Sequence, residues 1–306
     1  MLQALGTWLA AVDFTVLIAA FLALALLEVW RPHREHRVGT ALRWTTNLGL
    51  FAINTLAAGL LLPLAAVTLT NWAWTPTWHP AADAVDTFGS LPVLLVTMLA
   101  LDLSSYAMHR VEHAALPLWR LHAVHHADTH LDASTGVRHH PLEYLLAAGI
   151  GAAVITLLGL PTWAVSIYAA IALAAAVTQH ANLVLPARLD AWLRPIFVTP
   201  AIHEVHHSVD TRDHGSNYGT LFSFWDRLFG TYRPAPASGA DDIRFGVEPF
   251  TAATYAAPHW GLLLPLRIQA AGTVTPIMSP ARTRPASRAS SHPSVPFGRI
   301  GSTIQR

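Results

Sequence analysis

The chain has 306 residues, 53% of them hydrophobic and only 12% charged, with a formal net charge of +1. Ordinary soluble domains carry about 25% charged residues, so much of this surface is expected to face lipid; the near-neutral balance, with no basic run interleaved with aromatics, argues against a nucleic-acid binder. With no cysteine, disulfides and thiolate metal sites are excluded, and any metal must be held by nitrogen and oxygen donors.

About 20 helical residues cross the ~30 Å hydrocarbon core. The first run of that kind is Phe14 to Trp30, and because the preceding residues lack a basic flank and a small-residue cleavage site it reads as a retained span. A second runs from Asn47 to Leu69, and a third from Leu91 to Met108, carrying Asp102 and leading into the first histidines. Between Glu143 and Arg188 there is no charged residue, and Gly159-Leu160-Pro161-Thr162 divides that stretch into spans four and five. The expectation is an all-α polytopic membrane protein of four to five transmembrane helices. Arg31, Arg34, Arg37 and Arg43 follow the first span, whereas the loop from Asn71 to Gly89 has no arginine and holds Trp72, Trp74 and Trp78. The positive-inside rule makes the first loop cytoplasmic and the second external. Arg110, Arg120, Arg138, Arg188 and Arg194 then return to the cytoplasmic side, so the histidine-rich segments form a cap there. The segment Ala257 to Ala271 reads equally as an interfacial helix or a packed one. From Pro276 the Pro, Ser, Arg and Thr content predicts a disordered basic tail. The domain expectation is therefore one membrane-embedded unit, 1–275, with a histidine-rich core over 89–235, and a tail, 276–306.

Histidine is the anomaly: of eighteen, thirteen lie between His109 and His214. His109 and His113 are spaced to share one helical face. His122, His125 and His126 sit at i, i+3 and i+4, and His203, His206 and His207 repeat that interval. Eight imidazoles are too many for one ion, since a mononuclear site takes three or four protein ligands; two metals are indicated, with iron, zinc, copper and nickel left open by ligand type alone.

The run Asp102, Tyr106, His109, Arg110, His113, Trp119, His122, His125 and His126 resembles the first two histidine boxes of the fatty acid hydroxylase and sterol desaturase superfamily. His203-Glu204-Val205-His206-His207, then Asn217-Tyr218-Gly219 and Trp225-Asp226-x-Leu228-Phe229-Gly230-Thr231, resemble its third box and trailing signature. Arg138-His139-His140-Pro141-Leu142-Glu143 and Gln179-His180-Ala181-Asn182 resemble its bacterial branch. The likeness covers about residues 28 to 235.

This resemblance implies a non-haem di-iron centre that uses O2 to hydroxylate or desaturate an unactivated C–H bond of a membrane lipid: sterol, hopanoid, carotenoid, fatty acyl or ether lipid. The implied ligands are His109, His113, His122, His125, His126, His203, His206 and His207, with His180 ninth and His140 tenth; zinc is a possible substitute for iron in a purified protein. His139 stands where the family more often has an aromatic residue and reads as packing or surface, so His139→Phe is expected to leave activity largely intact. His130 and His214 read as solvated by default, with a place just behind the ligands as the alternative for His214. Each ring needs a carbonyl or carboxylate on its other nitrogen; among Asp102, Glu112, Asp128, Glu143, Glu204, Asp210 and Asp226, the two bordering spans, Asp102 and Glu143, are the leading candidates. With no dinucleotide fingerprint and no haem or iron–sulfur ligand pattern, electrons must come from a separate reductase or ferredoxin. Placement in a bacterial inner membrane, metals on the cytoplasmic side, follows. Two rival readings are an acyl-lipid membrane desaturase, against which the Asn217-to-Thr231 signature argues, and a histidine-rich metal transporter or zinc-binding membrane protein, whose ligands should sit near the bilayer midplane.

Overall fold

The computed structural model describes residues 14–35, 39–73, 84–85, 87–240 and 242–268. These residues are helical with no extended strand, only isolated bridges pairing Phe197 with Phe222 and Ser208 with Phe245. Helix α1 is Phe14–Trp30 and α2 is Thr40–Ala73. Helices α3 (Ser90–Ala114), α5 (Pro141–Leu158) and α6 (Thr162–His180) are long and apolar enough to cross a membrane. Helix α4 (Leu116–His126) and a 3-10 turn over Ala133–Val137 lie between α3 and α5. Short helices follow: α7 (Ala187–Leu193), α8 (Pro200–His206), α9 (Thr211–His214), α10 (Phe224–Leu228) and finally α11 (Pro258–Ile268). Trp74 and Trp78, and the whole tail 276–306, lie outside the described residues.

Helix ends follow local chemistry. Pro141 and Pro200 occupy first-turn positions, where a missing N–H costs nothing. Gly159 ends α5 at φ 60, a left-handed conformation that favours glycine, and donates to Ile155 and Thr156 carbonyls; the Gly-Leu-Pro-Thr punctuation thus divides two helices as read from sequence. Leu91, Leu95, Leu142 and Leu157 are exposed on these helices, as expected of side chains that face lipid rather than water. In α5 Glu143 is the one buried residue, which places this helix at the rim of the bundle.

Helix α2 begins seven residues before the span expected from Asn47, and its first turns belong to the cap. Arg43 is therefore not the solvated loop charge that the sequence suggested. It is 1% exposed, pairing with both oxygens of Asp128 (2.6 and 3.0 Å) and with Asp132 (2.8 Å), and it also donates to the His130 carbonyl. Asn47 donates to Asp128 and Ser134, and its carbonyl accepts from Arg138, also buried, whose Nε reaches Val124 O. A buried charge persists only when paired and hydrogen-bonded, and this cluster meets that condition on every side. Glu28 of α1 performs a similar clamp, accepting from the backbone N–H of Ala133 and Asn182. Helix α11 packs Leu264 and Ile268 into a core with Leu50, Trp119, Val124 and Phe250 while Leu262, Leu263 and Leu266 remain exposed, so one side of the helix is packed.

Candidate metal centre

Two groups of histidines come together behind the membrane helices. In one, ring nitrogens of His109 and His113 (α3), His122 and His126 (α4) and His206 (α8) all lie within 4.8 Å of one another. In the other, the same holds for His125 at the end of α4, His180 at the end of α6, and His203 and His207 at the end of α8. The i, i+3, i+4 spacing explains the split: rings three residues apart on α4 and α8 point to opposite sides of a common stripe, so each helix serves both groups. The groups adjoin, with the His126 and His207 rings stacked at 4.5 Å.

The hydrogen bonds decide which nitrogen of each ring faces inward. Nδ1 of His109, His125, His180 and His206 lies 2.7 to 3.1 Å from the carbonyl oxygens of Tyr218, Arg138, Ala176 and Ser216. A carbonyl only accepts, so Nδ1 carries the proton and Nε2 turns a lone pair toward the centre. The Nε2 of His180 stands 3.1, 3.0 and 2.9 Å from the Nε2 atoms of His125, His207 and His203. Such lone pairs repel unless a cation stands among them. With the four ring nitrogens this near one another, a single ion among them could be held by all four. In the other group, Nε2 of His109, His113 and His206 are buried without any hydrogen-bond partner, an expensive state for a polar atom. Burial, reinforced by neighbouring rings, holds His125, His126, His203, His206 and His207 well below the ordinary imidazole range, so they are neutral and able to donate to a metal. The donor set fits metal ions.

The remaining expectations divide. Glu143 does hold a ring, accepting from His122 Nδ1 at 2.9 Å and from His139 Nδ1 at 2.8 Å. Asp102 does not. Its oxygens accept from the backbone N–H of Leu221 and Phe222, from Trp225 Nε1 and from Tyr168, so it ties the trailing loop to α3; a carboxylate in a membrane helix satisfies itself with the nearest donors, and these belong to the loop. His140 joins neither group: its ring folds back to accept from Leu142 N–H and caps α5, the consequence of Pro141 fixing the helix start. His139, read from sequence as packing or surface, lies parallel to the His125 ring at 4.6 Å and forms a third potential ligand group with His122 and Glu143. His214 is half-buried, not solvated, edge-on to Trp119 and 4.7 Å from the His113 ring. His130 bonds Thr129. The polar set behind the rings, Arg43, Asn47 and Arg138, joins residues distant in sequence, and its one local signal is an arginine inside an otherwise apolar helix.

A cavity of about 570 Å³ opens on His109, His122, His125, His180 and His203 and continues between α3, α5 and α6. Small residues keep it open: Ala147, Ala148 and Gly151 line it from α5.

The trailing signature acquires a role from the same geometry. Asn217 adopts φ 55 and holds Arg233 N–H, Arg233 O and Ile202 O. Asp226 accepts from Tyr218 and Gly219 N–H and from Thr231. A Cβ on Gly219 would meet Phe222 O at 2.6 Å and Asp226 at 2.9 Å. This knot presents the Tyr218 and Ser216 carbonyls to His109 and His206.

The family model described as fatty acid hydroxylase matches residues 94–231. An ornithine lipid hydroxylase, OlsE, of Rhizobium tropici is 29% identical over 61% of this chain and 55% of its own length. Sphinganine C4-monooxygenase 1 of Arabidopsis thaliana is 26% identical over 81% of this chain and 94% of its own length. An alkylglycerol monooxygenase of Danio rerio is 29% identical over 50% of this chain and 32% of its own length. The chain thus spans about half the length of OlsE and a third of the Danio protein. No solved structure matches it.

Proposed function

We propose that the chain, similar to the fatty acid hydroxylase and sterol desaturase superfamily over its histidine-rich core, is a membrane-bound, O2-dependent lipid hydroxylase whose two histidine groups each hold one iron. The observation that carries this is the junction of two sets of neutral, inward-facing imidazoles with a largely apolar cavity that runs between membrane helices. Bound there, the irons would supply O2 activation and oxidation of an unactivated C–H bond. The chain's own residues orient and exclude. The Tyr218, Arg138, Ala176 and Ser216 carbonyls and the Glu143 carboxylate fix the rings; α5 and α6 line the apolar part of the cavity, and the small residues of α5 leave room there for substrate.

Electrons come from a separate donor protein, the metals sit on the cytoplasmic side of a bacterial inner membrane, and the product is an alcohol. The relatives bear names of an ornithine lipid hydroxylase, a sphinganine monooxygenase and an alkylglycerol monooxygenase, which favours hydroxylation over desaturation and a polar-headed lipid over a hydrocarbon. The ends of α3, α4, α6 and α8 gather the ligands at one end of the bundle, which disfavours a transport path through its middle. Lipid profiling of a host with and without the gene, alongside metal analysis of the purified protein, tests the reading. Two irons per chain and a new oxygenated lipid are expected; a protein that carries a single zinc and leaves every lipid unchanged would rule it out.

A further inference from the structure

Of the buried polar side chains on the cavity wall outside the ligand histidines, one is left over. Ser104 and Ser105 donate back to Leu101 O, Gln179 to Val198 O and Thr220 O, and Tyr168 to Asp102. Glu143 is saturated by His122, His139 and the His140 N–H. Glu112, 5% exposed and lining the same cavity, accepts no hydrogen bond from any described residue. His122 Nδ1, 3.5 Å away, already gives its proton to Glu143 at 2.9 Å. Position follows from helix periodicity: Leu101, Ser105, Met108 and Glu112 share one face of α3, with Glu112 at the histidine end and Leu101 toward the apolar end.

A buried carboxyl group without a hydrogen-bond partner is unfavourable, and a hydrogen-bond donor on the ligand would relieve it. We infer that Glu112 is the residue that recognises substrate, accepting a hydrogen bond from a hydroxyl or ammonium group on the lipid. This deepens the reading above and rests on it. Two consequences follow. The oxidised carbon lies a few bonds from that polar group, since Glu112 flanks the histidines and the alkyl chain must extend away along α5 and α6. A free fatty acid is the wrong substrate, because its carboxylate would add negative charge close to the Glu143 carboxylate in a wall of low dielectric.

The test is binding, without reductant, of hexadecanol, hexadecylamine and palmitate to the iron-loaded protein in nanodiscs, for the wild type, Glu112→Gln and Glu112→Leu, with iron content checked in each. The wild type should bind the alcohol and the amine about tenfold tighter than palmitate. Glu112→Leu should erase both preferences, whereas Glu112→Gln, which keeps an acceptor oxygen in the same place, should retain both. An unchanged ranking in Glu112→Leu, or palmitate binding tightest to the wild type, would overturn the assignment. If no probe binds the wild type, the lipid-substrate reading fails first and takes this inference with it.

Discussion

Each ring at the centre is aimed by what its outer nitrogen touches, so the effect of a substitution follows from that contact. His125→Ala and His206→Ala each remove an inward Nε2 held by a carbonyl. Activity should fall by more than about 100-fold with loss of bound iron, measured by product formation and metal analysis. His140→Asn should behave otherwise: asparagine is a good helix cap, and His140 caps α5 rather than joining a ligand group, so full iron content is expected. Loss of iron there would restore His140 as a ligand. For His139→Phe the structure changes the expectation. Phenylalanine keeps the stacking on His125 but forfeits the bond to Glu143, so a drop of about tenfold in turnover, with iron retained, replaces the largely intact activity that the sequence suggested.

At the scale of elements, the centre depends on how the loop after α9 is tied to α3. Asp102→Ala would strand two backbone N–H groups and the Trp225 indole N–H. At about 1–3 kcal/mol for each unsatisfied group, a large fall in thermal midpoint is expected, read by tryptophan fluorescence in detergent; a midpoint equal to wild type would contradict the tie. Gly219→Ala forces a methyl against a backbone oxygen, and the strain should appear as lower stability together with lost activity, because the same turn aims His109 and His206. Of these elements the apolar helices α1, α3, α5 and α6 were legible in apolar run length, and the α4 and α8 triplets in their spacing. The start of α2 was not, because Arg43 reads as a boundary until its partners, Asp128 and Asp132, are brought beside it.

For the whole molecule, pH acts through groups buried in one charge state. Burial would raise Asp128, yet the charge and hydrogen bonds of Arg43 outweigh it and hold the carboxyl well below the usual range, so its contribution is present above the unfolded value of about 3.9 and lost as pH falls toward the folded one. The buried imidazoles outside the spans, held neutral in the fold, act earlier: below about pH 6.5 the unfolded chain binds protons that the folded chain refuses, and stability falls. Metal-depleted protein should therefore lose thermal stability steadily below about pH 6.5, and iron loading should move that decline to lower pH. A flat profile between pH 7 and pH 5 would contradict this.

The sequence by itself determined the membrane character, the helical class and the identity of the histidine-rich helices, because composition, apolar run length and i, i+3, i+4 spacing are local properties written along the chain. Only the tertiary structure decided that the rings divide into two groups, that His140 caps a helix while His139 leans on His125, that Asp102 serves a loop, and that Glu112 is left without a partner. Those outcomes depend on which groups from distant segments arrive first at a given donor or acceptor, a competition that spacing along the chain does not express.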